Sequence, residues 1–194
     1  MQTAVNEAAG GVNRLAAVKP IYLYIVAFVS LAAMLASADS LLGFLSRAWL
    51  GDVVVVSPRA VASSAGLLLV AAPIFLLHWG LAQRGHEIPE ERDSVLRKLF
   101  LYLASALSLI FLAVNVYAIV DGSIAILLGA DVSSNDLAIA WPQWVIFGIA
   151  NAALVGYWAY ILRSDGDFGA EHRGGRVVRQ AYTLIAGLIG VVLI

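Results

Sequence analysis

The 194-residue chain contains no cysteine. That excludes disulfides, thiolate metal sites and cysteine nucleophiles, and leaves the compartment open. Charge is also scarce: Asp, Glu, Lys and Arg together make up 13% of residues, against 61% hydrophobic ones. Ordinary soluble domains carry about 25% charged residues. A soluble chain of this size has too little interior to hide so much apolar surface, so lipid is the expected solvent for most of it. The formal net charge is −1. With no basic excess, a nucleic-acid partner is excluded.

Charges divide the chain into intervals. There are 19 uncharged residues between Lys19 and Asp39, 24 between Arg59 and Arg84, 22 between Lys98 and Asp121 and 26 between Asp136 and Arg163. About 20 apolar residues suffice for a helix to cross the hydrocarbon core. The intervals predict transmembrane helices over roughly 20–42, 60–82, 98–120 and 142–162, and a fifth beginning near Val177. Pro20 and Pro142 suit first helical turns, where the missing N–H has no partner to lose. Pro73 falls inside the second helix and predicts a kink. Residues 1–18 read as a cytoplasmic arm or short surface helix. Met1 does not start a cleavable signal peptide, because the apolar run begins only after Lys19 and is too long for one.

Orientation follows from the loops. The arm and the second and fourth loops hold ten Lys or Arg residues in all, against two in the first loop and none in the third. The positive-inside rule therefore expects an N-terminus in the cytoplasm and a chain integral to the inner (plasma) membrane.

An internal repeat organises the rest. Arg14, Lys19 and Tyr24 recur as Arg92, Arg97 and Tyr102, and IYLYIVAFVSLA aligns with LFLYLASALSLI. His78-Trp79 and Arg84 recur as Tyr157-Trp158 and Arg163. Each unit holds two helices, so successive copies keep one orientation, as parallel repeats do. The expected organisation is the arm at 1–18, units at 19–90 and 91–168, and the start of a third unit at 169–194. The fold class is an all-α membrane protein, a polytopic bundle of about five transmembrane helices built from parallel two-helix repeats. The Tyr-Leu-Tyr start, the His-Trp pair with Arg84 six residues beyond His78, and the unit length of about 80 residues resemble a family of bacterial integral-membrane domains of unknown function that occur as tandem copies. That resemblance implies an architecture and no chemistry.

Candidate chemistry is sparse. Asp39 and Asp121 border the apolar spans directly, and an ionisable group within a bilayer is costly and commonly functional. They are the residues of a possible ion pathway, although capping of solvated helix ends accounts for them as well. His78 lies near the inner end of helix two, where interfacial anchoring competes with a weak cofactor-binding reading; haem ligation commonly needs a second axial ligand. Asn115 and Asn151 are placed to bond across helices, and Gly148 with Ala152 forms a small-xxx-small pair suited to close helix approach. The apolar stretches 40–49 and 123–130 read either as surface helices or as extensions of helices one and three. No phosphate-binding loop, HExxH, Gly-x-Ser-x-Gly or Cys-x-x-Cys motif occurs. The expectation is a non-enzymatic structural or accessory subunit that packs against other membrane subunits or itself, with membrane lipids as surroundings and no cofactor or metal. The alternative is a small transporter or ion pathway using Asp39 and Asp121.

Overall fold

The computed structural model describes residues 2–49, 57–84, 94–129, 134–165, 179–180, 182–184 and 187, with backbone alone for 2–18 and 134–140. Four long helices follow in order: α1 (Gln2–Trp49), α2 (Pro58–Arg84), α3 (Val95–Leu127) and α4 (Ser134–Ser164). The described residues from Arg179 to Leu184 begin a fifth helical segment. No strand occurs among the described residues. Four stretches, Lys19–Trp49, Pro58–Arg84, Val95–Leu127 and Trp141–Ser164, are long and apolar enough to cross a membrane. The fold is an all-helical membrane bundle.

Helix ends differ from the sequence expectation in a consistent way. Pro20 and Pro142 do not begin helices; both lie inside them, because the helical backbone extends well beyond the apolar span on that side. Each leaves one carbonyl without its i+4 donor, a loss tolerated where neighbouring groups or water are within reach. The proline that does open a helix is Pro58, where the Ser57 carbonyl accepts from the Ala60 and Val61 amides at 2.9 and 3.2 Å. On the other side, residues 40–49 and 123–127 prolong α1 and α3 and are not separate surface helices. The 31-residue stretch Lys19–Trp49 is therefore about 46 Å long at about 1.5 Å per residue, well over the roughly 30 Å hydrocarbon thickness. It must tilt or protrude. Gly129 ends α3 in the left-handed region at φ 65°, where its N–H bonds the Ile126 carbonyl at 3.1 Å. The β-branched run Val53–Val56 and most of the loop between α2 and α3 lie outside the described residues.

Two antiparallel hairpins, α1–α2 and α3–α4, form the bundle, and α1 crosses to touch both helices of the second. Each helix buries one stripe. On α1 it is Tyr24, Ala27, Leu31 and Leu35; on α2 it is Ala71, Phe75, Trp79 and Ala82. These spacings of three and four residues are those of one helical face. Serines along α1 do not seek partners across the interface. Ser30 and Ser37 donate to the carbonyls of Val26 and Ala33 one turn back, each at 2.6 Å, which hides their polarity within the helix.

One contact between the hairpins is made at a glycine. A Cβ on Gly43 of α1 would lie 2.7 Å from Oε1 of Gln143 on α4. Gln143 in turn donates from Nε2 to the backbone carbonyl and to Oδ1 of Asp39, both at 3.1 Å. Replacing Gly43 by Ala should push Gln143 off Asp39 and cost about 1 kcal/mol, the net worth of such bonds. Gln143→Leu should lower detergent-unfolding stability by a similar amount, and Gly43→Ala added to it should cost little more.

Candidate functional site

The charged residues fall into two kinds. Lys19, Arg59, Arg84, Asp121 and Arg163 are exposed at or near helix ends, whereas Lys98, Arg97 and Asp165 are buried, the last two with side chains 1% and 2% accessible. Arg97 opens α3 in its first turn, where Ser94 caps the helix by accepting from the Arg97 amide at 3.2 Å. Asp165 follows the last turn of α4, its amide held by the Ile161 carbonyl at 2.9 Å. Antiparallel packing of α3 and α4 brings these two termini to one end of the bundle. There Arg97 Nε donates to Asp165 Oδ2 at 2.7 Å and Nη2 to Oδ1 at 3.3 Å, the two-pronged pairing that a planar guanidinium makes with a carboxylate.

The end of α2 completes the arrangement. Arg97 Nη2 donates to Gln83 Oε1 at 2.8 Å, and Nη1 to the Ala82 carbonyl at 3.4 Å. The Ala82 carbonyl is one of the last in α2 and lacks an intrahelical donor, so the guanidinium serves as its cap. One side chain thus ties the ends of α2, α3 and α4. An aromatic layer shields it: the guanidinium carbon lies 5.8 Å from the Trp79 ring centre, close enough for a cation–π contact. Trp79 stacks on Phe100 at 5.2 Å and meets the edge of Trp158 at 5.3 Å, while Tyr24 of α1 packs on Phe100 at 5.3 Å.

The indole N–H groups in this layer are also engaged. Trp79 Nε1 donates to the Tyr157 hydroxyl at 2.8 Å, and Trp158 Nε1 to Ser108 Oγ at 3.2 Å. Ser108 passes its own hydrogen to the Ala104 carbonyl at 3.0 Å. Positions related by the 79-residue shift therefore meet in space: Trp79 touches Trp158. A similar meeting occurs on the far side of α3, where Tyr102 packs on Tyr182 at 5.0 Å and Ser105 shares a 3.0 Å hydrogen bond with the Tyr182 hydroxyl.

The residues singled out from sequence are placed as follows. Asp39 is half-buried against Gln143, and Asp121 is exposed on α3, so the two carboxylates have different surroundings. Asn115 and Asn151 are buried in the α3–α4 interface but do not bond across it. Each donates from Nδ2 to a carbonyl one turn back, Phe111 at 2.7 Å and Phe147 at 2.8 Å. The reason is local: a carbonyl on the same helix needs no alignment of two helices. Asn151 Oδ1 is buried with no hydrogen-bond partner. Gly148 faces Asn115, whose Cβ would lie 3.7 Å from a Cβ built at that position. Ala152 is exposed, so the small-residue pair does not share one packing face. His78 is half-buried; its Nδ1 bonds the Ile74 carbonyl at 2.8 Å and its ring meets Tyr22 edge-on at 5.7 Å. No group of three or more His, Cys, Asp or Glu able to hold a metal occurs among the described residues.

The Arg97–Asp165 pair was missed by sequence reasoning, which takes Arg97 as the repeat counterpart of Lys19 and as one of the basic residues of the second loop. The available signal was an acidic residue, Asp165, directly after a span that otherwise ends in a basic one, Arg163.

Four apolar helices with a charge pair confined to one end define a polytopic helical membrane protein. Residues 21–153, more than two thirds of the chain, match the family model of a domain of unknown function, DUF5671, and the chain belongs to that family. The match begins in α1 and ends in α4, so it includes Trp79 and Arg97 and stops short of Trp158 and Asp165. Neither the curated proteins nor the solved structures yield a match.

Removing one partner of a buried ion pair costs about 3–5 kcal/mol, whereas replacing both by apolar groups is often near neutral. Asp165→Leu and Arg97→Met should each lower unfolding stability by about that amount, and the double variant should recover most of the loss. Equilibrium unfolding in mild detergent checks this, with the non-additive term as the readout.

Proposed function

We propose that this chain is a non-enzymatic structural or accessory subunit of a larger membrane assembly, acting through helix packing. One observation carries the reading: most polar side chains inside the bundle bond one another or the carbonyls of their own helices, while the apolar exterior is left over. At the basic end Arg97 bonds Asp165 and Gln83, Trp79 bonds Tyr157 and Trp158 bonds Ser108, and Gln143 holds Asp39 at the opposite end. By contrast, α2 buries only Ala71, Phe75, Trp79 and Ala82, and Leu69, Leu76 and Leu77 are exposed along it. The exposed side chains beyond the membrane-length part of α1 and α3, such as Trp49 and Leu127, extend that surface. Partner subunits or a second copy would pack there.

The ion-pathway alternative has no observation in its favour. Asp39 is occupied by Gln143, and Asp121 faces outward. The chain is further proposed to sit in a bacterial inner membrane with its N-terminus in the cytoplasm, on the strength of the ten-to-two distribution of Lys and Arg.

Two measurements test these statements. Purification from native membranes in gentle detergent should yield an assembly of stoichiometric protein subunits well above the 20.6 kDa of one chain. A monomer whose reconstituted vesicles conduct ions, and lose conduction in Asp39→Asn/Asp121→Asn, would instead establish the alternative. For orientation, the absence of native cysteine permits single-cysteine labelling. Ser133→Cys should react with an impermeant maleimide on intact cells and Ile88→Cys only after permeabilisation; the reverse pattern overturns the orientation.

A further inference from the structure

The α1–α2 hairpin carries an open apolar groove of about 340 Å³ on its outer side, with α1 supplying Ile25, Val29 and Ala33 and α2 supplying Leu67, Val70 and Ile74. Its register is fixed by the ring contact of Tyr22 with His78, 5.7 Å apart. Running outward from that contact, the antiparallel helices bring Val26 level with Ile74 and Ala33 level with Leu67, which are the groove walls. Running the other way, the same register puts Lys19 level with Leu81, and Arg84 about one turn further on. Lys19 lies three residues before Tyr22 and seven before Val26, on the face that lines the groove. Arg84 continues the stripe of Val70, Ile74, Leu77 and Leu81 on α2.

The groove is thus apolar along its length and closes at the basic end on Tyr22 and His78, with two cations just beyond. Lys19 and Arg84 are both exposed, and no described carboxylate pairs with either. Tyr22 is exposed and offers a hydroxyl donor. His78 commits Nδ1 as a donor to the Ile74 carbonyl, which leaves Nε2, an acceptor in the neutral ring, for a headgroup. Cationic groups, a hydroxyl donor and a ring acceptor at the mouth of an apolar groove, all near the end of two membrane-length helices, match one kind of molecule. We propose that this hairpin holds an anionic glycerophospholipid of the leaflet at the basic end. Its acyl chain lies in the α1–α2 groove, its phosphate pairs with Lys19 and Arg84, and its polar headgroup meets Tyr22 and His78. This inference is independent of the subunit reading, since a lipid site on α1–α2 serves a monomer or an assembly equally.

Native mass spectrometry of the full chain in detergent, titrated with dioleoyl phosphatidylglycerol or dioleoyl phosphatidylcholine, tests it. Wild type should retain the anionic lipid preferentially. Lys19→Gln/Arg84→Gln should weaken phosphatidylglycerol binding by roughly thirtyfold, at about one basic contact per residue, with phosphatidylcholine binding unchanged. Both substituted residues are exposed, so the melting temperature should not move. Ala33→Leu, which fills the groove wall, should weaken both lipids. Equal retention of the two lipids by wild type would overturn the proposal, as would a preference that survives the double substitution. So would displacement by millimolar inorganic phosphate together with indifference to Ala33→Leu, which would mark a soluble-anion site.

Discussion

The bundle depends on a buried ion pair. Arg97 and Asp165 sit where the ends of α2, α3 and α4 converge, and a charge there is tolerable only with its partner in place and its remaining donors used. That requirement dictates much around it. Trp79, Phe100 and Trp158 form a lid that excludes water and lipid, and Tyr24 extends the lid to α1. The order of dependence is physical: without the lid the pair would hydrate, and without the pair the lid would cover an unpaired guanidinium. A single side chain fixes three helix ends more tightly than apolar packing alone, because lipid tails compete with Leu and Val for apolar contact.

Elsewhere the interior uses a quieter solution. Ser30, Ser37, Ser108, Asn115 and Asn151 all turn a donor onto a carbonyl of their own helix. Each donor is used without waiting for a partner helix, and the helices can then approach through small side chains and glycine. Gln143 and Ser105 reach across instead, Gln143 to Asp39 and Ser105 to Tyr182, and Gly43 makes room for Gln143. With the inside committed in this way, the surface left for interactions is the apolar exterior, above all α2 and the groove it shares with α1. A helical membrane domain whose inside is committed to its own fold is suited to be read from outside, by lipid and by protein.

The sequence made the class and the spans legible because a bilayer imposes a length on apolar runs, and charges mark where they stop. The four charge-free intervals lie within α1 to α4. Helix ends were less legible, since Pro20 and Pro142 mark the edge of the apolar span and not of the helix, which continues into polar text. Helix continuation through residues 40–49 was one of two readings that composition alone left open. The ion pair was hidden for another reason: Arg97 and Asp165 lie 68 positions apart, and each stands in a charged stretch with opposite charges close by in sequence. Only the antiparallel closure of α3 on α4 joins them. The asparagines were legible as interface residues, but a side chain's choice between its own helix and the next is a matter of tenths of an ångström that no spacing encodes.

The central claim is that the interior beneath the aromatic lid is packed and closed to water. Ser108 is fully buried there, bonded to Trp158, and the chain has no native cysteine to compete with a reporter. The most direct measurement is the rate at which a small water-soluble methanethiosulfonate modifies Ser108→Cys in the membrane-embedded protein, with exposed Ser123→Cys as reference. Ser108→Cys should stay unmodified over the time in which Ser123→Cys reacts completely. Modification of the two at comparable rates would mean a water-filled path through the bundle and would contradict that claim.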